Sequence, residues 1–379
     1  MLYLACALLA LQLYNLVLLL YGRAQARDLP PETTIDGAWP RVSILIPARD
    51  EEAEIEQALR SVLALDYPNV EVIVVNDRST DRTGEVLTMV QATHPQLRIE
   101  TITELPAGWL GKNHALMRGV SIATGELLLF TDADIVFTPD ALKRTVALLV
   151  NDRIDHLTVS PVIRSDSFWI NMLSAMFIRN FTLFVKPWRA RDPKSPNHIG
   201  LGAFNLVRRN AYEAAGGHER IRLRPDDDMK LGKILKLGGF RQEIVFGQDA
   251  LSLQWYSSVR AMTVGLEKNI LAGVDYRVWF LAFGLCVVLL SDLGPLALLG
   301  WTDVPTTIVA ASASFVSMWT LALFLPFTSQ SRLTAVLTPV LTTILVWIFA
   351  RSAFLTLKRG GIAWRGCFYP LAELRQNEV

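Results

Sequence analysis

The sequence predicts an α/β fold: a doubly wound, parallel sheet domain with membrane segments before and after it. Three observations predict it. Strand-like and helix-like patterns alternate from Val42 to Phe130, the order of βαβ units whose strands run parallel. The run Leu127-Leu128-Leu129-Phe130 suits a strand buried on both faces and leads into Asp132-Ala133-Asp134. Residues 2–21 are almost wholly apolar, and apolar stretches recur at 278–301, 305–327 and 333–357. With 379 residues, 51% of them hydrophobic, and a mean hydropathy of +0.31, the chain is too apolar for an ordinary soluble protein and too polar for an all-membrane one.

Residues 1–27 form the first element, a transmembrane anchor, because about 20 apolar residues of helix span a bilayer core. Only Gln12 and Asn15 interrupt the run, and Arg23 and Arg27 follow it. The positive-inside rule then puts the next segment in the cytoplasm. Ala24-Gln25-Ala26 mimics a signal-peptide cleavage site, but the basic n-region is missing and the apolar run is too long. Residues 28–40 hold Pro30, Pro31 and Pro40 and read as a linker.

The globular pattern then divides into 41–165 and 166–270. Its first half reads as strands over 42–46, 70–75, 97–102 and 126–130, with helices over 51–65, 83–93 and 114–122. If the last strand runs on through the acidic pair, Asp132 and Asp134 share one face at its carboxyl edge. Ligands of open α/β sheets bind there. Two hard oxygen ligands suit Mg²⁺ or Mn²⁺, with substrate phosphates completing the shell. A solvated Asp-rich turn is the plainer alternative.

Residues 167–188 are strongly apolar yet broken by Asn171, Arg179 and Asn180. A core helix and an interfacial helix both fit, and Arg179 counts against a full span. Residues 271–357 carry the C-terminal membrane segments. The first, 278–301, is interrupted by Ser291-Asp292 and Gly294-Pro295, so a bent span or a re-entrant piece is expected. The tail, 358–379, holds Lys358, Arg359, Arg365 and Arg375, which favours the cytoplasm. A cytoplasmic domain and a cytoplasmic tail need an even number of crossings between them, which three full spans would break.

Several classes are excluded. A formal net charge of +1 gives no bulk basic excess for nucleic acid. Cys6, Cys286 and Cys367 have neither disulfide-framework nor zinc-site spacing. No Gly-x-Gly-x-x-Gly follows the first strand, which argues against a dinucleotide-binding dehydrogenase.

The chemistry-bearing segments come in a fixed order. Pro47-Ala48-Arg49-Asp50-Glu51 and Asp77-Arg78-Ser79-Thr80-Asp81-Arg82-Thr83 end the first two strands. Carboxylates there accept hydrogen bonds from a base or ribose, although Asp50 and Ser79 equally suit helix caps. In Gly108-Trp109-Leu110-Gly111-Lys112 the glycines allow tight backbone. A lysine opening a helix suits a diphosphate, or is simply a surface lysine. Gly200, Gly202 and Phe204, ahead of Arg208-Arg209, mark either a close substrate approach or a plain bulge. Asp226-Asp227-Asp228 sets three carboxylates in a row, which repel unless a function, a partner or a helix N-terminus over 231–237 uses them.

In this order the segments resemble the family 2 glycosyltransferases, from Val42 to about Asn269. The resemblance implies a nucleotide-sugar-binding domain of the GT-A type. It implies donor-side roles for Pro47, Arg49, Glu51, Asp77, Lys112 and Asp132, with Glu51 and Asp77 gripping uridine. Asp134 and Asp132 would hold Mg²⁺ or Mn²⁺ against the diphosphate. Gly202, Phe204, Trp255 and Arg260 would lie on the acceptor side. Asp228 matches the family's catalytic base, and Asp227 is the rival if the register slips by one. Two family positions differ here, Asp50 for Asn and Arg78 for Gly.

Processive members carry Gln-x-x-Arg-Trp, but here Ser257 and Ala261 replace the Gln and Trp, which disfavours polymer synthesis. The Gly-Trp-x-Gly-Lys segment and the tail Trp364-Arg365-Gly366-Cys367-Phe368-Tyr369 are similar to a subgroup acting on lipids such as carotenoid or hopanoid derivatives. That tail would fold back on the site or anchor at the interface through Trp364 and Tyr369. The expected protein is therefore an inverting transferase with a UDP-linked sugar donor, a lipid acceptor and the bilayer as partners, on the cytoplasmic face of the cell membrane. A processive polysaccharide synthase and an inactive membrane lipid-binding scaffold are the alternatives.

Overall fold

Helix α1 (Leu2–Gln25) opens the chain in the computed structural model, which describes residues 1–31, 33–247, 249–300 and 303–379. In chain order there follow β1 (Arg27–Asp28), β2 (Val42–Ala48), α2 (Ile55–Leu63), β3 (Val70–Asp77), α3 (Thr83–Thr93), β4 (Leu97–Ile102), α4 (Gly111–Ile122), β5 (Leu127–Phe130) and α5 (Ala141–Asn151). Then come β6 (His156–Ser160), α6 (Phe168–Val185), β7 (Asn205–Arg208), α7 (Asp227–Leu237), β8 (Gln242–Phe246), α8 (Val278–Ala297), α9 (Val304–Ala322) and α10 (Thr338–Arg359). The chain divides into a helical unit (Met1–Gln25, Ile163–Lys186, Trp255–Ile362) and a sheet unit (Ala26–Val162, Pro187–Gln254, Ala363–Val379).

In the sheet unit the described strands are ordered β1-β8-β6-β7-β5-β2-β3-β4. The sheet is doubly wound, as β2 shows. Val42, Ile44 and Ile46 pack with Leu59, Val62 and Leu87 of α2 and α3. Leu45 points the other way, to Leu116 of α4 and Ile234 of α7. Alternate residues of a strand face opposite layers, so a continuous apolar run is needed where both layers are helical. The expectation of an all-parallel sheet is corrected at one strand: β7 runs antiparallel to both β5 and β6. A short, doubly buried strand has no periodicity that reveals its direction.

Helix starts also shift. Helix α2 begins at Ile55, not 51, and buries Ile55, Ala58, Leu59 and Val62, a 3.6-residue stripe. Helix α7 begins at Asp227, so two members of the acidic triplet lie in its first turn. Strand β5 stops at Phe130, before the acidic pair. Asp132 and Asp134 therefore sit in the turn beyond the strand, not on one strand face.

Among the described residues, five segments are long and apolar enough to cross a membrane: Leu2–Gln25, Phe168–Arg189, Val278–Ala297, Val304–Ala322 and Arg332–Arg359. The interruption expected near Ser291 and Pro295 does not break α8, which runs through both; the last residue of the 278–301 stretch, Trp301, lies outside the described residues. Proline has no N–H to give the carbonyl four residues back. The carbonyl so released, that of Ser291, accepts instead from Gln12 Nε2 at 2.6 Å. Arg179, on α6, pairs with Asp292 at 2.5 Å, and both are buried.

Candidate active site

The two motif loops after β2 and β3 are tied to each other. Asp50 Oδ1 accepts from Thr80 N at 2.7 Å, Asp50 N donates to Ser79 Oγ at 3.1 Å, and Glu51 N donates to Thr83 Oγ1 at 2.8 Å. Asp50 and Ser79 thus bridge loops instead of capping helices. Asp50 and Arg78 both have positive φ, 54° and 56°. Aspartate tolerates this region and arginine does so only at a cost. Arg78 is held there by a two-pronged pair with Asp77, Nε to Oδ1 at 2.7 Å and Nη2 to Oδ2 at 3.0 Å. Arg49 Nη1 stands 3.7 Å from the same carboxylate. Gly111 is required beside it, because a Cβ there would lie 2.3 Å from Asp77 Oδ2.

A cleft at the sheet's carboxyl edge is lined by Pro47, Lys112, Asp132, Gly202, Asp227 and Asp228. Lys112 Nζ pairs with Asp132 Oδ1 at 2.9 Å and Asp227 Oδ2 at 3.2 Å. Burial pushes its ammonium toward the neutral form, but Asp132, Asp227 and Asp228 outweigh that and hold it well above its ordinary pKa. Asp226 pairs with Arg224 at 3.0 Å and Lys230 at 3.6 Å, so the acidic triplet divides into separate roles. Asp228, half-buried, accepts from Gly202 N at 2.8 Å and Met229 N at 2.7 Å. Burial, then the charge of Asp227, push its carboxyl up to about 7, with Lys112 opposing.

Gly202 joins the two sides of the cleft. Its N–H binds Asp228, and its carbonyl accepts from Asp132 N at 3.0 Å. This needs α7 to lie against the loop before β7. A Cβ on Gly232 would come within 2.0 Å of the Ile199 carbonyl oxygen, and one on Gly200 within 1.8 Å of that of Asp228. Gly232→Ala must push helix and loop apart. Overpacking of this kind costs about 1–3 kcal/mol. The variant is expected to melt lower and to lose turnover by more than its folded fraction, as read by circular dichroism beside initial rates; unchanged turnover would refute this coupling.

Glu51, Asp132 and Asp134 form an acidic group. Burial, then Asp132 and Glu51, push Asp134 up to about 7. Burial raises Glu51 to about 7 against the opposing charge of Arg365. Asp134 Oδ1 is buried without a hydrogen-bond partner. That atom suits a hard divalent cation, and among the described residues no three His, Cys, Asp or Glu side chains converge into a closed metal cage. An open site on Asp134 and Asp132, completed by substrate oxygens, fits Mg²⁺ or Mn²⁺.

Other expected residues are not in the lining of this cleft. Phe204 is wholly buried in the core, against Phe137, and does not reach the cleft. Trp255 and Arg260 belong to the helical unit, where Trp255 packs edge-on to Phe177 and Arg260 is exposed. The sequence reading missed His218, buried in the cleft wall with Nδ1 2.8 Å from Tyr212 OH. It also missed the partners of the tail. Residues Gly361–Trp364 and Cys367–Pro370 form a hairpin with Arg365 and Gly366 at positive φ, the geometry of a tight two-residue turn. Arg365 pairs with Glu51 and donates to the Asp50 carbonyl, and Cys367 Sγ accepts from Arg78 Nη1 at 3.7 Å. The tail thus folds back onto the sheet unit.

Comparison with known proteins adds to this geometry. Residues 43–216 match the model for Glycosyl transferase family 2. A 4,4'-diaponeurosporenoate glycosyltransferase of Staphylococcus aureus (strain USA300) is 25% identical over 352 residues, covering 88% of this chain and 89% of the relative. That of the bovine strain RF122 / ET3-1 is 31% identical over 183 residues, 47% of this chain and 46% of the relative. The solved Pyrobaculum calidifontis mannosyltransferase PcManGT, in complex with GDP-Man and Mn²⁺, shares the fold with a TM-score of 0.51 and 20% identity, covering 94% of this chain and 92% of the other.

Proposed function

We propose that this chain, whose residues 43–216 match the Glycosyl transferase family 2 model, is a glycosyltransferase of that family that moves one sugar from a UDP-linked donor to a hydroxyl or carboxyl of a membrane lipid, with inversion. The observation that carries the reading is the cleft itself. It sets a half-buried carboxylate, Asp228, opposite the Lys112–Asp132 pair. A base with a carboxyl near neutrality suits proton abstraction at cellular pH. Asp228 takes the proton of the acceptor hydroxyl as that oxygen bonds to the anomeric carbon, while the bond from that carbon to the diphosphate oxygen breaks. Lys112 faces the negative charge that collects on the departing diphosphate. Mg²⁺ or Mn²⁺ bound by Asp134 and Asp132 would supply further neutralisation of that charge. Glu51 and Asp77, at the ends of the loops that Arg365 and Arg78 reach, hold the nucleoside.

The lipid acceptor is supported by the apolar helices, by Ala261 where processive enzymes carry Trp, and by the carotenoid-derived name of the relatives. Chain topology supports one side of the membrane for the whole sheet unit. Strand β6 before α6 and β7 after it belong to one sheet, so α6 must return to the side it entered from. The tail also pairs within the sheet unit, which asks for an even number of crossings among α8, α9 and α10. With α1 crossing and the positive-inside rule, that side is the cytoplasm.

Membranes from cells expressing the chain would be incubated with labelled UDP- and GDP-sugars, with and without EDTA. Metal-dependent label in the organic extract is expected. Label confined to insoluble polymer would instead identify a processive synthase, and equal label on soluble sugars would refute the lipid acceptor.

A further inference from the structure

We propose that a cavity in the helical unit binds the uncharged, hydrogen-bonding head of a long-chain lipid, between α1, α6 and α8. The inference rests on the helices lying in a bilayer, not on the transfer reaction. The cavity is about 200 Å³, more than the roughly 150 Å³ that accommodates a benzene ring in an engineered core. It is lined by Asn15 of α1, Arg179 and Asn180 of α6, and Asp292 of α8. Leu11, Phe184 and Val288 border these polar groups.

Charge selects the head. Arg179 and Asp292 pair at 2.5 Å, so their charges cancel. Ser317 Oγ and Thr342 Oγ1 also donate to Asp292, at 2.7 and 2.6 Å. A phosphate or an ammonium head would enter with no counter-charge, which is costly away from water.

Two carboxamides select for hydrogen bonding. Asn15 makes no side-chain hydrogen bond among the described residues. Asn180 only accepts, from Arg179 Nη2 at 3.2 Å, so its amide N–H groups are free. Helix cohesion does not use these groups, since the Gln12, Arg179, Ser317 and Thr342 bonds to Asp292 already supply it. Free amides in an apolar unit cost free energy that a polar partner removes. Asn15, Asn180 and Val288 are half-buried and Phe184 is exposed, so the cavity can be reached from the surface of the unit. A head with hydroxyls meets the amides, and its chain follows Leu11 and Phe184.

The test uses the full chain in detergent micelles without any sugar donor. A monoacylglycerol with a diazirine in its chain is the probe, and a phosphatidic acid with the same chain is the charged comparison. After irradiation, labelled peptides are read by mass spectrometry. The neutral probe is expected to label peptides holding Leu11, Phe184 and Val288. Asn15→Leu with Asn180→Leu is expected to lower that label about tenfold, the scale of lost hydrogen bonds. Leu183 also lines the cavity; Leu183→Trp, which fills it, is expected to lower the label as well, and Asp228→Asn to leave it unchanged. Labelling spread evenly over the apolar helices, equal labelling by phosphatidic acid, or labelling that both cavity variants leave intact would overturn the proposal. Since no transfer is read, a failed glycosylation assay and a failed cavity are separate results.

Discussion

Asp228→Asn is expected to lower turnover by about 10²–10⁴, the range that positioned general bases contribute, while the affinity for the nucleotide sugar stays within a few-fold. The substitution keeps the size of the side chain. It leaves one acceptor oxygen for two backbone donors, Gly202 N and Met229 N, so one of them faces an amide. That costs about 1–3 kcal/mol of local stability, which a melting curve reports separately from turnover. Asp227→Asn makes the contrast. Asp227 is bound to Lys112, so its loss disturbs the donor side and is expected to raise the donor KM more than it lowers turnover. If Asp227→Asn silences turnover and Asp228→Asn does not, the base has been assigned one residue too late.

The pH profile has a determined sign. Burial and the charge of Asp227 raise the Asp228 carboxyl to about 7. The base works only when deprotonated, so at saturating divalent cation the rate falls as pH drops through about 7. It approaches a tenfold loss per unit on the acid side. A profile flat from pH 5 to 8 would remove Asp228 from the proton transfer.

The gathering of Glu51, Asp77 and Asp132 at one sheet edge was legible because its signals are local. Apolar runs ending in acids at Glu51, Asp77 and Asp132 mark strand ends, and strand ends of an open α/β sheet gather at one edge. The motif departures became intelligible only with backbone angles: Asp50 and Arg78 occupy the left-handed region, and Asp77 holds Arg78 there. The direction of β7 was not legible, and that strand sets the loop carrying Gly202. Phe204 was read as an acceptor-side residue because its segment resembles the family's Gly-x-x-Phe-x-x-x-Arg-Arg strand. In the fold its side chain lies in the core, while the backbone at Gly202 does the bridging. Arg365 lies far from Glu51 in sequence, and no periodicity links a hairpin tip to a carboxylate so distant along the chain. Asp292 was read as an interruption for the same reason, since its partners come from four other helices.

Those partners make the second large effect. Asp292→Leu is expected to destabilise the helical unit by about 3–5 kcal/mol, the usual result of removing one member of a buried ion pair. The aspartate accepts from Gln12 Nε2 at 3.3 Å, Arg179 Nη2 at 2.5 Å, Ser317 Oγ at 2.7 Å and Thr342 Oγ1 at 2.6 Å. Leucine fills much of the volume but removes the acceptor of four donors, one of them on a cation 3% exposed. Arg179→Met alone is expected to be nearly as harmful, because it leaves the carboxylate buried without its counter-charge. The double variant, Arg179→Met with Asp292→Leu, removes both charges together. It is expected to be more stable than the sum of the single losses predicts, by about 0.5–3 kcal/mol, the range of coupling between groups in contact. Melting in detergent, followed by the fluorescence of Trp279 and its neighbours, measures all four corners of the cycle. Additive losses would mean that the pair is screened by water in the helical unit, and the neutral-cavity argument for lipid would lose its electrostatic basis. Strong coupling would instead show that the unit keeps a dry ion pair. In that case Arg179 is tolerated among apolar helices because Asp292 is fixed opposite it by α9 and α10.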